Sequence, residues 1–332
     1  MIGESSPCLR VLSGGVLTTV QDHRRQGTRR YGVPQSGALD PIALSLANRL
    51  LDNPHDAAAL EITAGSAAFE VLAPTLLAIT GGDLGALLND EPLPQWTVVF
   101  ARPGAEIRFV GRRQSWGARA YLAIAGGFDV PAILGSRSTY LAGGFGGLHG
   151  RALRTGDLLA SLSMADALPL AGRSCPIAAR PPYTVEPALR LLPGPHLDRF
   201  VSGALDLLLT EPFTINASAN RMGYRLDGPL LGYAAPCSLP SLGVLPGVIQ
   251  VPPDGNPILL MADAQTTGGY PIVGVVIEPD LALAAQLLPG DRLRFRLTTL
   301  DEAVAARREV QRWCSSIPAM DIDLLSWAGA LE

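Results

Sequence analysis

The sequence predicts a mainly β protein made of two tandem barrel-like modules with a few short helices. Three observations carry this. Apolar runs of four to eight residues, rich in Val, Ile and Leu, recur along the chain and are bounded by Gly, Pro or Asn. The 332 residues include 36 Gly and 28 Pro, which is turn-rich yet below the level of low-complexity sequence. The halves also echo each other: LRVLSG at 9–14 returns as LRLLPG at 189–194, and PGAEIRF at 103–109 as PGDRLRF at 289–295, with TGDLLASL at 155–162 a further variant.

Taken in order, residues 9–20 read as two strands about Gly14-Gly15, and 67–72 with 75–80 as two more about Pro74. Residues 85–101 read as a hairpin turning at Asn89-Asp90, and strands at 105–110 and 118–124 follow. One early helix is well signalled. Asp40 suits its N-cap, Pro41 its first turn, and Ile42, Leu46 and Leu50 fall on one face before the stop at Asn53-Pro54. A second follows residue 299, where Thr299 and Glu302 have the spacing of a capping box. These features divide the chain into a module at 1–165, a Pro/Ala-rich linker at 166–187, a module at 188–300, and a helix with a docking tail at 301–332. The tail's Trp313, Ile317, Met320, Ile322, Leu324, Leu325 and Trp327 give it apolar groups to dock.

Composition excludes several functions. A net charge of -4 with 17% charged residues does not fit a nucleic-acid binder. All 26 basic residues are Arg. Without Lys the chain cannot carry biotin, form a Schiff base or build a P-loop, whose Lys reaches the terminal phosphates. Cys8, Cys175, Cys237 and Cys314 are scattered, as are the four His, so no metal-ligand spacing appears. No apolar run reaches membrane-spanning length and no basic-then-apolar leader opens the chain, which predicts a cytoplasmic protein.

Five segments combine polar chemistry with strand or turn context. Gln21-Asp22-His23-Arg24-Arg25 begins a loop with four Arg by residue 30, and guanidinium forks take carboxylate or phosphate; a solvated loop is the plainer alternative. Ser36 and Asp40 lie in a Gly/Pro/Ser loop at a helix start, suited to an anion or simply to a turn and cap. Glu61 is a carboxylate in an apolar strand, either a general base or a residue turned to solvent. Gly135-Ser136-Arg137-Ser138-Thr139, before the glycines of 143–147, is anion-cradling material or an ordinary turn. Finally Arg221, Gln250, Asp263, Gln265, Thr266 and Tyr270 interrupt apolar strands. They either pair with one another or face a pocket, with Arg221 and Asp263 a plausible pair.

These segments also carry a resemblance. TVQDHRRQG, YGVPQSGALD, ALEIT, LGSRST, GGFGG, NRMGYRL, IQVPPDG and QTTGGYP, spread over about 12–297, resemble the allophanate hydrolase subunit 2, or biotin-dependent carboxyltransferase-like, family. That family includes subunits of ATP-dependent 5-oxoprolinases, the carboxyltransferase region of urea carboxylases, and an antagonist of a sporulation-kinase inhibitor. The resemblance implies two cyclophilin-like β modules and a heteromeric enzyme. Its partners would be the B-type subunit of a 5-oxoprolinase (an allophanate hydrolase subunit 1-like protein) and the A-type subunit. The substrate would be a small amide or lactam, with ATP, and magnesium as its companion, in a site shared with a partner. It further implies Asp22, Glu61 and Asp263 as catalytic groups. Gln21, Arg25, Ser36, Asp40, Asn48, Ser136, Arg137, Thr139, Arg221, Gln250, Gln265, Thr266 and Tyr270 would bind substrate or phosphate. A urea carboxylase component served by a separate biotin carrier, and a regulatory binder without turnover, are the other expectations. The sequence departs from the family pattern at Arg24, where Gly is usual, at Leu39 for Met, and at Leu242 for an acidic residue.

Overall fold

The computed structural model describes residues 6–161, 168–236, 239–316 and 320–321. The chain divides into two units. The first comprises residues 1–24, 41–181 and 313–332. The second comprises 25–40 and 182–312. The division is not linear, because 25–40 groups with residues that follow far along the chain. A partition into consecutive blocks does not capture this.

The first unit stacks two antiparallel sheets. One runs in the order Leu158–Ala160, Pro7–Gly14, Ala67–Val71, Glu106–Phe109, Ala86–Leu88, Glu91–Pro92. The other runs Leu17–Gln21, Ala59–Thr63, Arg119–Ile124, Thr75–Gly81, Val98–Ala101. Leu9, Val11, Phe69 and Phe109 from the first share a core with Val20, Leu60, Ile79 and Leu122 from the second. Phe69 and Phe109 meet edge to face at 6.4 Å between ring centres, a favoured aromatic geometry. The helix Pro41–Leu50 lies on strands Thr75–Gly81 and Arg119–Ile124 of the second sheet, and Thr80 Oγ1 donates to the Ala43 carbonyl at 2.8 Å. That sheet is covered on both faces. Its central strands are therefore buried throughout instead of alternating.

Local chemistry fixes the turns. Asn89 (φ 50°) and Asp90 (φ 71°) both sit in the left-handed region and join Ala86–Leu88 to Glu91–Pro92 as a two-residue hairpin. Thr299 and Glu302 form the expected reciprocal cap of the helix Leu300–Ser316: Glu302 N–H donates to Thr299 Oγ1 at 3.3 Å and Thr299 N–H to Glu302 Oε2 at 3.2 Å.

The second unit is a closed barrel of seven strands in the order Ala188–Pro193, Ile272–Val276, Val248–Gln250, Ile258–Leu260, Gly223–Asp227, Phe213–Ile215, Arg292–Leu297. The ring closes where Ala188–Pro193 pairs in parallel with Arg292–Leu297. Leu191, Phe213, Tyr224, Leu226, Ile249, Leu259, Val273 and Phe295 fill its interior. The echoing sequence segments are strands in both units, but their neighbours differ. Pro7–Gly14 and Glu106–Phe109 are separated by Ala67–Val71, whereas Ala188–Pro193 and Arg292–Leu297 are adjacent.

In the Pro/Ala-rich stretch, Arg173–Ser174 pairs antiparallel with Met320–Asp321. The other apolar residues of the tail from Ile317 onward lie outside the described residues. No helix among the described residues is long and apolar enough to cross a membrane.

Candidate functional site

Two clusters bring the sequence-selected residues together, one in each unit. In the first unit, Asp22 follows the strand Leu17–Gln21 and is buried. Its Oδ1 accepts from Ser136 Oγ at 2.7 Å and from Ser138 Oγ, and its Oδ2 from the Arg137 amide. The hydroxyls are themselves tied: Asp22 N–H donates to Ser138 Oγ, and Ser138 N–H to Ser136 Oγ. Three donors thus occupy three of the carboxylate's roughly four lone-pair sites, and the carboxylate shapes the 135–139 turn. Thr139 adds two bonds to the Val20 carbonyl, through its amide and its Oγ1. Gln21 donates through Nε2 to Thr19 Oγ1 (2.9 Å) and the Thr139 carbonyl (3.3 Å), while its buried Oε1 takes no hydrogen bond from the described residues.

This knitting presents Arg137. Its Nε donates to the Val130 carbonyl at 3.2 Å, the side chain is half-buried, and its terminal nitrogens form no ion pair or hydrogen bond among the described residues. A braced guanidinium with open donors suits a carboxylate or phosphoryl group. Leu134, at φ 54° in the turn before it, is a bulky residue in the left-handed region, the kind of strain that gathers at functional turns.

Glu61 does not face solvent. It is 1% exposed, lies across from Thr19 and Tyr121 in the sheet, and accepts from Tyr121 Oη at 2.7 Å, with Arg119 Nε 3.9 Å from its other oxygen. The second covered face of this sheet is what buries it. Asn48 serves the fold: its Nδ2 donates to the Ala57 carbonyl and its Oδ1 accepts from Asn53. Near Asp22, His23 Nε2 lies 3.1 Å from Ser45 Oγ and its ring 5.6 Å from that of His55. Burial, then the charges of Arg24 and His55, hold the His23 imidazole below its ordinary value.

In the second unit, Arg221 and Asp263 form a buried two-pronged pair, Nε to Oδ2 at 2.9 Å and Nη2 to Oδ1 at 3.2 Å. Arg221 Nη2 also donates to the Gly37 carbonyl at 2.6 Å, anchoring the 35–40 loop. In that loop Ser36 (φ 52°) and Gly37 (φ 89°) are consecutive left-handed residues, and the buried Ser36 Oγ has no hydrogen-bond partner among the described residues. Asp40 Oδ2 accepts from Tyr183 Oη at 2.6 Å and Gln286 Nε2 at 2.8 Å. Arg25 is fully buried, and its amide donates to the Gln35 carbonyl. The Thr266 carbonyl accepts from the Val244 amide and, at 3.5 Å, from Arg29 Nη2.

Beside these lies a cleft of about 250 Å³ lined in part by Ser218, Asn220, Arg225, Gln250, Gln265 and Tyr270. Pockets for drug-sized ligands start near 300 Å³, so this one suits a compact molecule rather than a nucleoside triphosphate. Its lining mixes amides, hydroxyls and one guanidinium with the apolar Met222, Ile258 and Leu260.

The chain matches the carboxyltransferase domain model, subdomains A and B, over residues 31–297. It belongs to the carboxyltransferase-domain family. Among curated members, it is 40% identical to the 5-oxoprolinase C subunit of Escherichia coli, covering 92% of this chain and 96% of that one. It is 32% identical to the 5-oxoprolinase C subunit of Haemophilus influenzae, covering 90% and 94%. Its fold matches the crystal structure of the K. lactis urea amidolyase with a TM-score of 0.85 at 30% identity, covering 93% of this chain. The match spans only 20% of that larger chain. Both of these relatives are named as subunits of a 5-oxoprolinase.

Sequence reasoning missed Tyr121, Tyr183 and Gln286. Tyr121 is 60 residues from Glu61, and Tyr183 and Gln286 are 143 and 246 residues from Asp40. No local pattern marks such partners. Among the described residues no group of three or more His, Cys, Asp or Glu could hold a metal ion.

Proposed function

We propose that this chain is the C subunit of an ATP-dependent 5-oxoprolinase that converts 5-oxo-L-proline to L-glutamate together with B-type and A-type partner proteins. The observation that carries the reading is the end-to-end match to the E. coli 5-oxoprolinase C subunit at 40% identity. The small amide-lined cleft is compatible with it. A lactam carbonyl is a poor electrophile. Transfer of the ATP γ-phosphoryl group to the lactam oxygen releases ADP and creates a phosphate leaving group. Water then adds at the carbonyl carbon and the ring C–N bond breaks, the nitrogen leaving as a protonated amine, to give γ-glutamyl phosphate, which a second water hydrolyses to glutamate and phosphate.

In this chain, the cleft of the second unit would hold the ring. Arg137, in the first unit, would offer its open donors to an anionic group there. Asp22, Glu61 and Asp263, each already bonded within the fold, would act by holding neighbours in place. ATP would sit largely with a partner, since the cleft is too small for it.

A second reading is a urea carboxylase component served by a separate biotin carrier. The fold match to the K. lactis urea amidolyase favours it. Glutamate release from 5-oxoproline and ATP by the co-purified three-protein complex tests the first reading. Activity should vanish when this chain is omitted and fall when Arg137→Ala is introduced. An intact, folded complex that releases no glutamate would remove the reading, and urea with a biotin carrier would then be the substrate to assay.

A further inference from the structure

The cleft of the second unit contains a carboxamide chain whose orientation is fixed by chemistry. Gln250 is 1% exposed, and its amide lies 3.3 Å from the Tyr270 carbonyl oxygen. A carbonyl can only accept, so Gln250 must present Nε2 there. Its Oε1 is then left for Gln265, whose Nε2 donates to it at 3.2 Å. The Gln265 carboxamide is thereby locked in one orientation, with Oε1 directed away from Gln250. Gln265 is half-buried and lines the cleft, and its Oε1 accepts no hydrogen bond from the described residues.

Gly268 completes the lock. A Cβ on it would fall 2.7 Å from Gln250 Nε2 and 3.1 Å from Oε1. A larger residue there would push the Gln250 carboxamide out of this position. The neighbouring Asn220 is already committed, with Oδ1 accepting from the Met222 amide and Nδ2 donating to the Ser218 carbonyl. Gln265 Oε1 is therefore an ordered acceptor on the cleft wall.

We propose that Gln265 is a specificity-determining residue that accepts the N–H of a small amide in this cleft, with Gln250 as its positioning residue. The inference deepens the proposed function, on which it rests for an amide substrate, and applies to a lactam or to urea. A fixed acceptor welcomes an N–H and opposes a ring oxygen, which is itself only an acceptor. A lactone of the same shape should bind at least about tenfold more weakly than the lactam, because the acceptor is left unpaired.

The test is calorimetric titration of the full-length protein with 5-oxoproline, its lactone isostere and urea. The wild type should prefer lactam over lactone by at least about tenfold. Gln265→Met, similar in volume, should bring that ratio near one without moving the thermal midpoint. Gln250→Leu, which frees Gln265, should weaken the preference. Equal affinity of the wild type for both rings, a preference that survives Gln265→Met, or binding of neither lactam nor urea would overturn the proposal. Urea binding that depends on Gln265, with no glutamate release by the complex, would remove the 5-oxoprolinase reading and leave this inference standing. Glutamate release with a preference indifferent to Gln265→Met would do the reverse.

Discussion

Replacing Asp263 with alanine strips the Arg221 guanidinium of its carboxylate while leaving it 4% exposed in the second unit. Breaking one side of a buried ion pair costs about 3–5 kcal/mol, because the remaining charge keeps its desolvation penalty without its partner. Arg221 retains its bond to the Gly37 carbonyl at 2.6 Å, which puts the expected loss near the lower end, about 3 kcal/mol. That is a large share of the roughly 5–15 kcal/mol that stabilises a domain. With a urea m-value of about 2 kcal/mol/M, the unfolding midpoint of this unit should fall by about 1.5 M. Far-UV circular dichroism across a urea series reads the shift directly. The double substitution Arg221→Met with Asp263→Leu removes both charges and should recover most of the loss, giving a coupling energy of at least about 2 kcal/mol. A loss below about 1 kcal/mol for Asp263→Ala, or additive single effects, would refute the argument.

Three further outcomes are expected. Gly147→Ala would place a Cβ 1.9 Å from Thr139 Oγ1 at φ 52°, so it should cost about 2–3 kcal/mol in denaturant unfolding and loosen the 135–139 turn. Because the folded His23 imidazole sits below its ordinary value, the unfolded chain takes up that proton first as pH falls; stability should be full above about pH 6.5 and decline below it. Thermal midpoints between pH 7.5 and 5.5 should show this slope, flattened in His23→Gln. Burial pushes the Cys8 thiol up to about 11, and Cys175 is 1% exposed, so maleimide at pH 8 should spare both in the native protein and label them in urea, as peptide mass spectrometry would show.

Much of the local architecture was legible because it depends on nearest neighbours. Pro41 with Ile42, Leu46 and Leu50 marks the helix Pro41–Leu50, whose three apolar residues are all buried. Asn89-Asp90 announces its hairpin, and Thr299 with Glu302 its capping box. The Arg221–Asp263 pair was visible as two charges in apolar surroundings, since burial would demand that they meet. What stayed hidden depends on the third dimension. Alternation gives Glu61 a solvent-facing reading, but a helix covers the outer face of its sheet and Tyr121 meets its carboxylate. Asp40 reads as a helix cap, and nothing local shows that its Oδ2 also holds Tyr183 and Gln286 of the second unit. The grouping of 25–40 with that unit rests on contacts such as Arg221 to Gly37, 184 residues apart, beyond the reach of any window.

The parallel seam between Ala188–Pro193 and Arg292–Leu297 has a kinetic consequence. A ring whose first and last strands must meet cannot close while a ribosome is still making it. Until Arg292–Leu297 emerges, Ala188–Pro193 and Phe213–Ile215 each lack a neighbour and present unpaired edges, the usual template for misassociation. The strap at 25–40 waits longer still, translated early and anchored only once Arg221 and Gln286 exist. Such high contact order makes folding slow. Production of this protein should therefore be governed by how long the open ring lingers, and early chaperone capture should raise the soluble yield.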